Sequence, residues 1–488
     1  MTDTAIALLA VAALFALVLS GVHVAFALLI TSFAAMALLN TFDIALSLLA
    51  QSAYHAIFDY VFTVVPLFVL MGAFMTQSRA AQELYTFLNL VFRKVRGGLG
   101  IATVFSNAIF AAVTGASVAS AAVFSKIALP QMYRYGYSKR LALGCVAGSS
   151  VLGMLIPPSL LMIIYGILTQ VSIGRLFVAG IVPGLVLAGI YSLGIMALGA
   201  VRPQLVGHRL AEGAVAPSEA PAAVGARASL PADDADGEDG TDPDAAPATA
   251  EGSALPTVLS GQSASGPRAD ASMLSSLLGS LPVVALVVLV IGGIWGGLFT
   301  PTEASAVGAA GAFLIGKLMG MTWRGAGVAF KETAITTGAI MILLISAQMY
   351  SRMLAASGLV GQVGRFLGGL EVSPTLIVLI FIVILIVMGA VLDSASIILL
   401  AVPVMFPSVV LLDIDPLWFG IVLIVAVELG LLTPPFGMIP FTMSAVIGRE
   451  VVVEDIFVGS FAFFLMMLVL IALMIVFPAL VTWLPSLM

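Results

Sequence analysis

The residues best placed to do chemistry here are hydroxyls, glycines and prolines set inside long apolar runs. Two Pro-Pro pairs occur, Pro157-Pro158 and Pro434-Pro435, 277 residues apart. Each breaks a hydrophobic stretch, GSSVLGMLIPPSLLMIIYG in the first half and VAVELGLLTPPFGMIPFTM in the second. At the same offset Ser117 matches Ser394, Pro130 matches Pro407 and Gly153 matches Gly430. A helix broken inside a bilayer leaves N–H and C=O groups without partners, at several kcal/mol each. Those groups persist where protein, water, an ion or a solute satisfies them. Unwound carbonyls and half-helix C-termini offer the hard oxygens that Na⁺ requires, and half-helix N-termini offer free amides and a positive dipole end to a carboxylate. A single break would read as a proline kink between packed helices; the matched pair favours a binding site.

Two candidate cation sites follow. The first takes Gly115 and Ser117 with Gly153 and Pro157; the second takes Asp393, Ser394 and Ser396 with Gly430, Thr433 and Pro434. Thr114, Ser117, Pro158, Ser159, Ser394 and Pro435 are the candidate contacts for a small organic anion. Ser and Gly in membrane helices also serve simply to let backbones approach. Asp393 is the sharpest single residue, because a mid-membrane carboxylate costs ~2.5–3.5 kcal/mol and calls for a cavity, a cation or a partner. Glu428 is a second such carboxylate, and a structural salt bridge is the alternative for either. Glu303 reads differently. In Thr300-Pro301-Thr302-Glu303 the spacing is that of a helix capping box with proline at the first helical position. Lys126 is open between attracting an anion and extending to the membrane surface.

Composition limits the class. Hydrophobic residues make up 61% of the 488, charged residues 9%, and mean hydropathy is +1.18, which describes a polytopic helical membrane protein. One cysteine, Cys145, provides no disulfide framework, and the three histidines are scattered. No phosphate-binding glycine loop or Ser-His-Asp arrangement is present, and an intramembrane enzyme or a channel lacks its nucleophile–base pair or polar pore ring. The sequence therefore predicts no enzymatic activity, no cofactor and no nucleic-acid partner. Residues 4–20 and 22–39 read as two membrane helices joined at Gly21 rather than as a signal peptide, since no basic leader region precedes them.

The expected fold is an all-α polytopic membrane protein with two inverted repeats, each holding a re-entrant helical hairpin and a broken transmembrane helix. Residues 1–202 form the N-terminal repeat, with a hairpin near 99–128 and a broken helix near 140–170. Residues 272–488 form the C-terminal repeat, with a hairpin near 374–410 and a broken helix near 417–446. A helix crosses the ~30 Å bilayer core in about 20 residues. The two hairpin segments are longer and carry soft centres, Thr114-Gly115-Ala116-Ser117 and Gly389 through Ser394; an overlong tilted helix is the alternative. Arg93, Lys94, Arg96, Arg134, Lys139 and Arg140 flank the first hairpin and place its open end in the cytoplasm. Glu371, Asp413 and Asp415 flank the second, with Arg365 the nearest base, and place its open end outside. Arg202, Lys317, Arg324, Lys331 and Arg449 then fall in the cytoplasm and both termini in the periplasm. Residues 4–77 with 280–356 form the expected static scaffold. Between the repeats, residues 203–271 are rich in Ala, Pro, Gly, Ser and Asp, with eleven acidic and three basic residues. Such a composition predicts a disordered cytoplasmic tether. It also accounts for the low pI, since the remainder is slightly basic.

Several ordered runs resemble one family. GASVASAAVFSKIALPQM, LIPPSLLMIIYG, LFTPTEASAVGA, MGAVLDSASIILLAVPVMFP and LLTPPFGM resemble the large membrane subunit of TRAP (tripartite ATP-independent periplasmic) transporters. The resemblance covers nearly the whole chain outside residues 203–271. It implies a Na⁺-driven importer of organic acids in the bacterial inner membrane, of elevator type, with a transport domain built from the two hairpins and the two broken helices. It also implies a small four-helix membrane subunit and a soluble periplasmic substrate-binding protein as partners. A stand-alone ion-coupled anion or dicarboxylate permease of related architecture is the second reading, distinguished by whether a binding protein is needed.

Overall fold

A computed structural model describes residues 2–58, 60–207, 273–359, 361–362, 373–448 and 451–488. Residues 208–271 of the expected tether, together with Arg365, Glu371 and Arg449, lie outside the described residues. The described chain is helical throughout, with one isolated bridge between Tyr137 and Val206. Six helices are long and apolar enough to cross a membrane.

The chain enters through Asp3–Leu19, whose N-cap Thr2 accepts the Ala5 N–H at 3.3 Å, and turns at Gly21 into Val24–Leu39. Gly21 has φ +90°, a conformation that side-chain-bearing residues avoid, so the glycine fixes the joint expected there. Val64–Thr76 is the hub of the outer layer. Phe74 packs on Phe313 (5.3 Å) of Pro301–Leu318 and on Phe330 (5.4 Å) of Trp323–Ala356. The capping box at Thr300 forms as expected: Thr300 Oγ1 accepts the Glu303 N–H, and Glu303 accepts the Thr300 N–H at 2.8 Å. One boundary differs. The last apolar stretch of the expected scaffold runs from near 332 to 356. The helix instead begins at Trp323, with Thr322 as N-cap accepting the Gly325 N–H at 3.0 Å. Its 34 residues exceed what the bilayer needs, so the charged turns are helical and Glu332 lies within the helix.

Burial separates core from periphery. The apolar window of Lys139–Thr169 is 83% buried, against 28% for Trp323–Ala356 and 33% for Met273–Trp295. The broken helix is thus central, and these two helices of the expected scaffold are peripheral.

The two halves repeat one packing scheme. In the first, Gly100 faces Cys145 and Gly153 faces Ala111, so Gly98–Thr114 lies parallel to the segment from Lys139 to Leu155. In the second, Phe381 packs on Phe419 (6.2 Å) and Gly389 meets Gly430, so Pro374–Gly389 lies parallel to Pro416–Gly430. The following arms fold back. Ser120 bonds to Asn107, and further along Met132 comes back to Thr103, whose hydroxyl donates to its sulfur (3.8 Å). Ser394 reaches Glu428, near one end of Pro416–Gly430, while Phe406 packs on Tyr165, whose hydroxyl donates to the Pro416 carbonyl at the other end (2.7 Å). Both hairpins are therefore antiparallel pairs. The matched helices run in opposite directions. Arg140 reaches Asp455 (3.1 Å) and Gly148 meets Phe463, which sets Lys139–Ser150 parallel to Val453–Val476. Trp418 Nε1 donates to the Met474 carbonyl (3.0 Å) near one end of that same helix and Gly437, past the break, meets Phe457 near the other, setting the segment from Pro416 antiparallel to it.

The first residues of the expected tether are folded. Residues 203–207 fold back: Pro203–Leu205 makes a 3-10 turn, and the Leu205 carbonyl accepts the Ser138 N–H at 3.0 Å. Val206 packs on Gly199 and Gly97, which holds the end of Ile173–Val201 against the base of the first hairpin.

Candidate functional site

At the first tip, Gly98–Thr114 stops because Gly115 adopts φ +60°, and its N–H bonds to the Ala111 carbonyl (2.7 Å). Ala116 is extended, and Ser117–Ile127 then begins. The tip lies directly on the first break, where a Cβ at Gly115 would stand 3.0 Å from the Pro158 carbonyl oxygen. Gly153 gives the same intimacy from the other side: its Cβ would meet Ala111 Cβ at 2.8 Å and the Ser117 nitrogen at 3.6 Å. Asn107 locks the assembly. Its Nδ2 donates to Ser149 Oγ (2.8 Å) on the broken helix, and its Oδ1 accepts from Ser120 Oγ on the opposite arm. All three residues are fully buried, so each lost partner would leave a desolvated polar atom.

The second tip is built on the same plan with different residues. Pro374–Gly389 ends at the turn before Asp393, the N-cap of Ser394–Leu411. The Asp393 carboxylate accepts the Ser396 N–H (3.0 Å) and the Ser396 hydroxyl. The tip is tied to the second break by the Phe436 N–H, which donates to the Ala390 carbonyl (3.0 Å). Thr433 Oγ1 turns back to the Leu429 carbonyl (3.0 Å). The two breaks differ in cover. Pro157, Pro158 and Ser159 are buried under the first tip, whereas Pro434, Pro435 and Phe436 are exposed.

The two tips meet at one carboxylate. Ser117 Oγ donates to Glu428 Oε2 at 2.7 Å, and Ser394 Oγ donates to Oε1 at 3.2 Å. These serines occupy matched positions in the two halves, and Glu428 is 1% exposed. Among the described residues no Lys, Arg or His forms an ion pair with it. With its proton turned toward Glu428, each serine keeps lone pairs for a hard cation, and the unwound carbonyls beside it are of the same ligand type.

A cavity of about 280 Å³ opens beside the first tip. Thr114, Gly115 and Pro158 line it as candidate contacts, and so do Ala116, Val118 and Ala119 at the start of Ser117–Ile127. Across from them stand Gly72 and Thr76 of the outer layer, Glu332 and Thr336, and Thr442 of Met438–Ile447. Ser117, Ser159, Ser394 and Pro435 do not line it. Ser117 and Ser394 are turned to Glu428, Ser159 is buried behind the break, and Pro435 faces outward with the second break. The second tip contributes no lining residue to this cavity. Sequence reasoning also passed over Asn107, Glu332, Thr336 and Thr442. Asn107 was findable as the one amide inside an apolar hairpin arm, and Glu332 and Thr336 share a helix face at i, i+4. Thr442 carried no signal.

Residues 11–480 match the family described as Tripartite ATP-independent periplasmic transporter, DctM component. The chain belongs to that family. It is 30% identical to the C4-dicarboxylate TRAP transporter large permease protein DctM of Pseudomonas aeruginosa, over 82% of this chain and 81% of that protein. It is 27% identical to the ectoine TRAP transporter large permease protein TeaC of Halomonas elongata, over 87% and 86%. Among solved structures, the Alcanivorax borkumensis YdaH transporter superposes with a TM-score of 0.58 at 14% identity, covering 91% of this chain and 90% of that one, a likeness of fold. This TRAP large permease is thus a multi-pass helical membrane protein.

Proposed function

We propose that this large permease imports an organic acid across the bacterial inner membrane, driven by Na⁺. In this reading a periplasmic binding protein delivers the solute and a small four-helix membrane subunit braces the scaffold. The observation that carries it is the convergence of Ser117 and Ser394 from matched tips onto one buried carboxylate. Two hydroxyls, unwound carbonyls and a nearby negative charge make a donor set that fits a hard monovalent cation. The N-terminus of Ser117–Ile127, bordering the cavity through Ala116, Val118 and Ala119, suits a carboxylate. The repeated packing in the two halves and the opposed direction of their matched helices support an inverted repeat. The peripheral helices around Val64–Thr76 support a static scaffold past which the hairpins and broken helices move.

The test is reconstitution in proteoliposomes with the partner subunits, measuring uptake of carboxylates under an imposed Na⁺ or K⁺ gradient. Uptake that needs both Na⁺ and the binding protein is expected. Uptake indifferent to Na⁺ removes the coupling assignment, and uptake without a binding protein moves the chain to the stand-alone permease reading.

A further inference from the structure

We propose that Glu428 couples the two hairpin tips, so that cation binding at one tip strengthens binding at the other. This rests on the Na⁺-coupled reading and adds to it a positioning residue outside both candidate cation sites. The carboxylate sits on Pro416–Gly430, two residues before the glycine that packs against Gly389. Its two oxygens are divided between the halves, Oε2 to Ser117 and Oε1 to Ser394. Among the described residues no hydrogen bond joins the two serines directly, and they lie 277 residues apart in sequence.

The physical consequence follows from where the protons point. Each hydroxyl gives its proton to Glu428, which leaves its lone pairs for a cation and enriches the oxygen with negative charge. A cation at the tips holds the buried carboxylate in its ionised form, and bonds to an ionised group are the strong ones. A cation that fixes Ser117 thereby fixes Oε2, and the rigid carboxylate plane then holds Oε1 where Ser394 needs it. One charge therefore serves both tips, and ordering one side removes part of the ordering cost of the other. A glutamine cannot reproduce this: it offers one accepting oxygen and an NH₂ that only donates, so one serine must turn its hydroxyl away.

The experiment uses the purified full-length chain in detergent, with Na⁺ alone as the probe. Thermal stability is titrated with NaCl against choline chloride at constant ionic strength. The wild-type chain should show Na⁺-specific stabilisation with a Hill slope above one. Glu428→Gln should move the midpoint up by about tenfold, the scale of one lost charge-assisted hydrogen bond, and bring the slope down to one. Glu428→Asp should fall between, since it keeps the charge and loses reach. A Glu428→Gln chain that keeps the wild-type midpoint and slope overturns the proposal. Should that variant fail to fold, Ser117→Ala, Ser394→Ala and the double variant decide it. Non-additive midpoint shifts support coupling, and additive shifts overturn it. A wild-type chain without Na⁺-specific stabilisation removes the Na⁺-coupled reading itself, and the coupling with it.

Discussion

Replacing Gly72 with alanine should shift the balance between transport states and leave the fold intact. Gly72 lies in Val64–Thr76, where that helix meets the first tip, and an added Cβ would stand 2.8 Å from both Cα and O of Thr114. Carbon contacts settle near 3.5–4.0 Å, so the helix and tip must part by roughly 0.7 Å or more. Those are backbone atoms, which cannot swing aside as a side-chain end can. Overpacking of this kind costs about 1–3 kcal/mol. If the tip leaves Gly72 during the cycle, the strain belongs to the state seen here alone, and its population falls about 5- to 150-fold relative to the other. If tip and helix stay together, the same strain is present in every state and lowers only stability.

Gly430→Ala is the control. Its Cβ would stand 2.6 Å from Gly389 Cα and 2.7 Å from the Ile386 carbonyl oxygen, a contact that the proposed movement leaves together in every state. The assay is maleimide labelling of Ala119→Cys, a cavity-lining position, in a Cys145→Ser background, with reagent applied to each side of sealed vesicles. Gly72→Ala should change the side-specific labelling rate by about fivefold or more while retaining most thermal stability. Gly430→Ala should lower thermal stability and leave labelling unchanged. Gly72→Ala with reduced stability and wild-type labelling would refute a moving interface at this contact.

Three further outcomes are expected. Asp393→Asn should raise the Na⁺ concentration for half-maximal uptake with little loss of stability, because asparagine also caps Ser394–Leu411 while the charge is gone; an unchanged sodium activation curve removes Asp393 from the cation site. Asn107→Ala should cost about 1–3 kcal/mol, read as a lower thermal midpoint in detergent, since Ser149 and Ser120 each lose a buried partner; an unchanged midpoint would mean that water replaces the amide. Replacing residues 209–270 with a short Gly/Ser tether should retain uptake at normal membrane levels, on the strength of their composition, provided residues 203–207 are kept to hold Ser138; lost uptake with normal levels would give the segment a function of its own.

What was legible in the sequence was local. The breaks were readable because proline and glycine restrict or free a backbone wherever they stand, and the cap at Thr300 because its partner is three residues away. What stayed hidden depended on the whole chain folding. Nothing near position 332 says that Glu332 will line a cavity whose other wall is Thr114, and nothing near position 442 marks Thr442.

The contrast between the two carboxylates shows how far local rules reach. Asp393 drew attention because it sits at a tip, yet an Asp just before an apolar helical run is also an N-cap, the rule already applied to Thr300. Its carboxylate is occupied by the turn it starts, accepting from Ser396. Glu428 drew less attention because it lies inside a helix, where an acid has no local partner to find. For that reason its partners had to come from elsewhere in the fold. A buried carboxylate that its own turn cannot satisfy must be satisfied at long range or not persist, and here the long-range donors are the matched serines of both tips. In an apolar chain, the acid without a local explanation is the better guide to where distant segments meet.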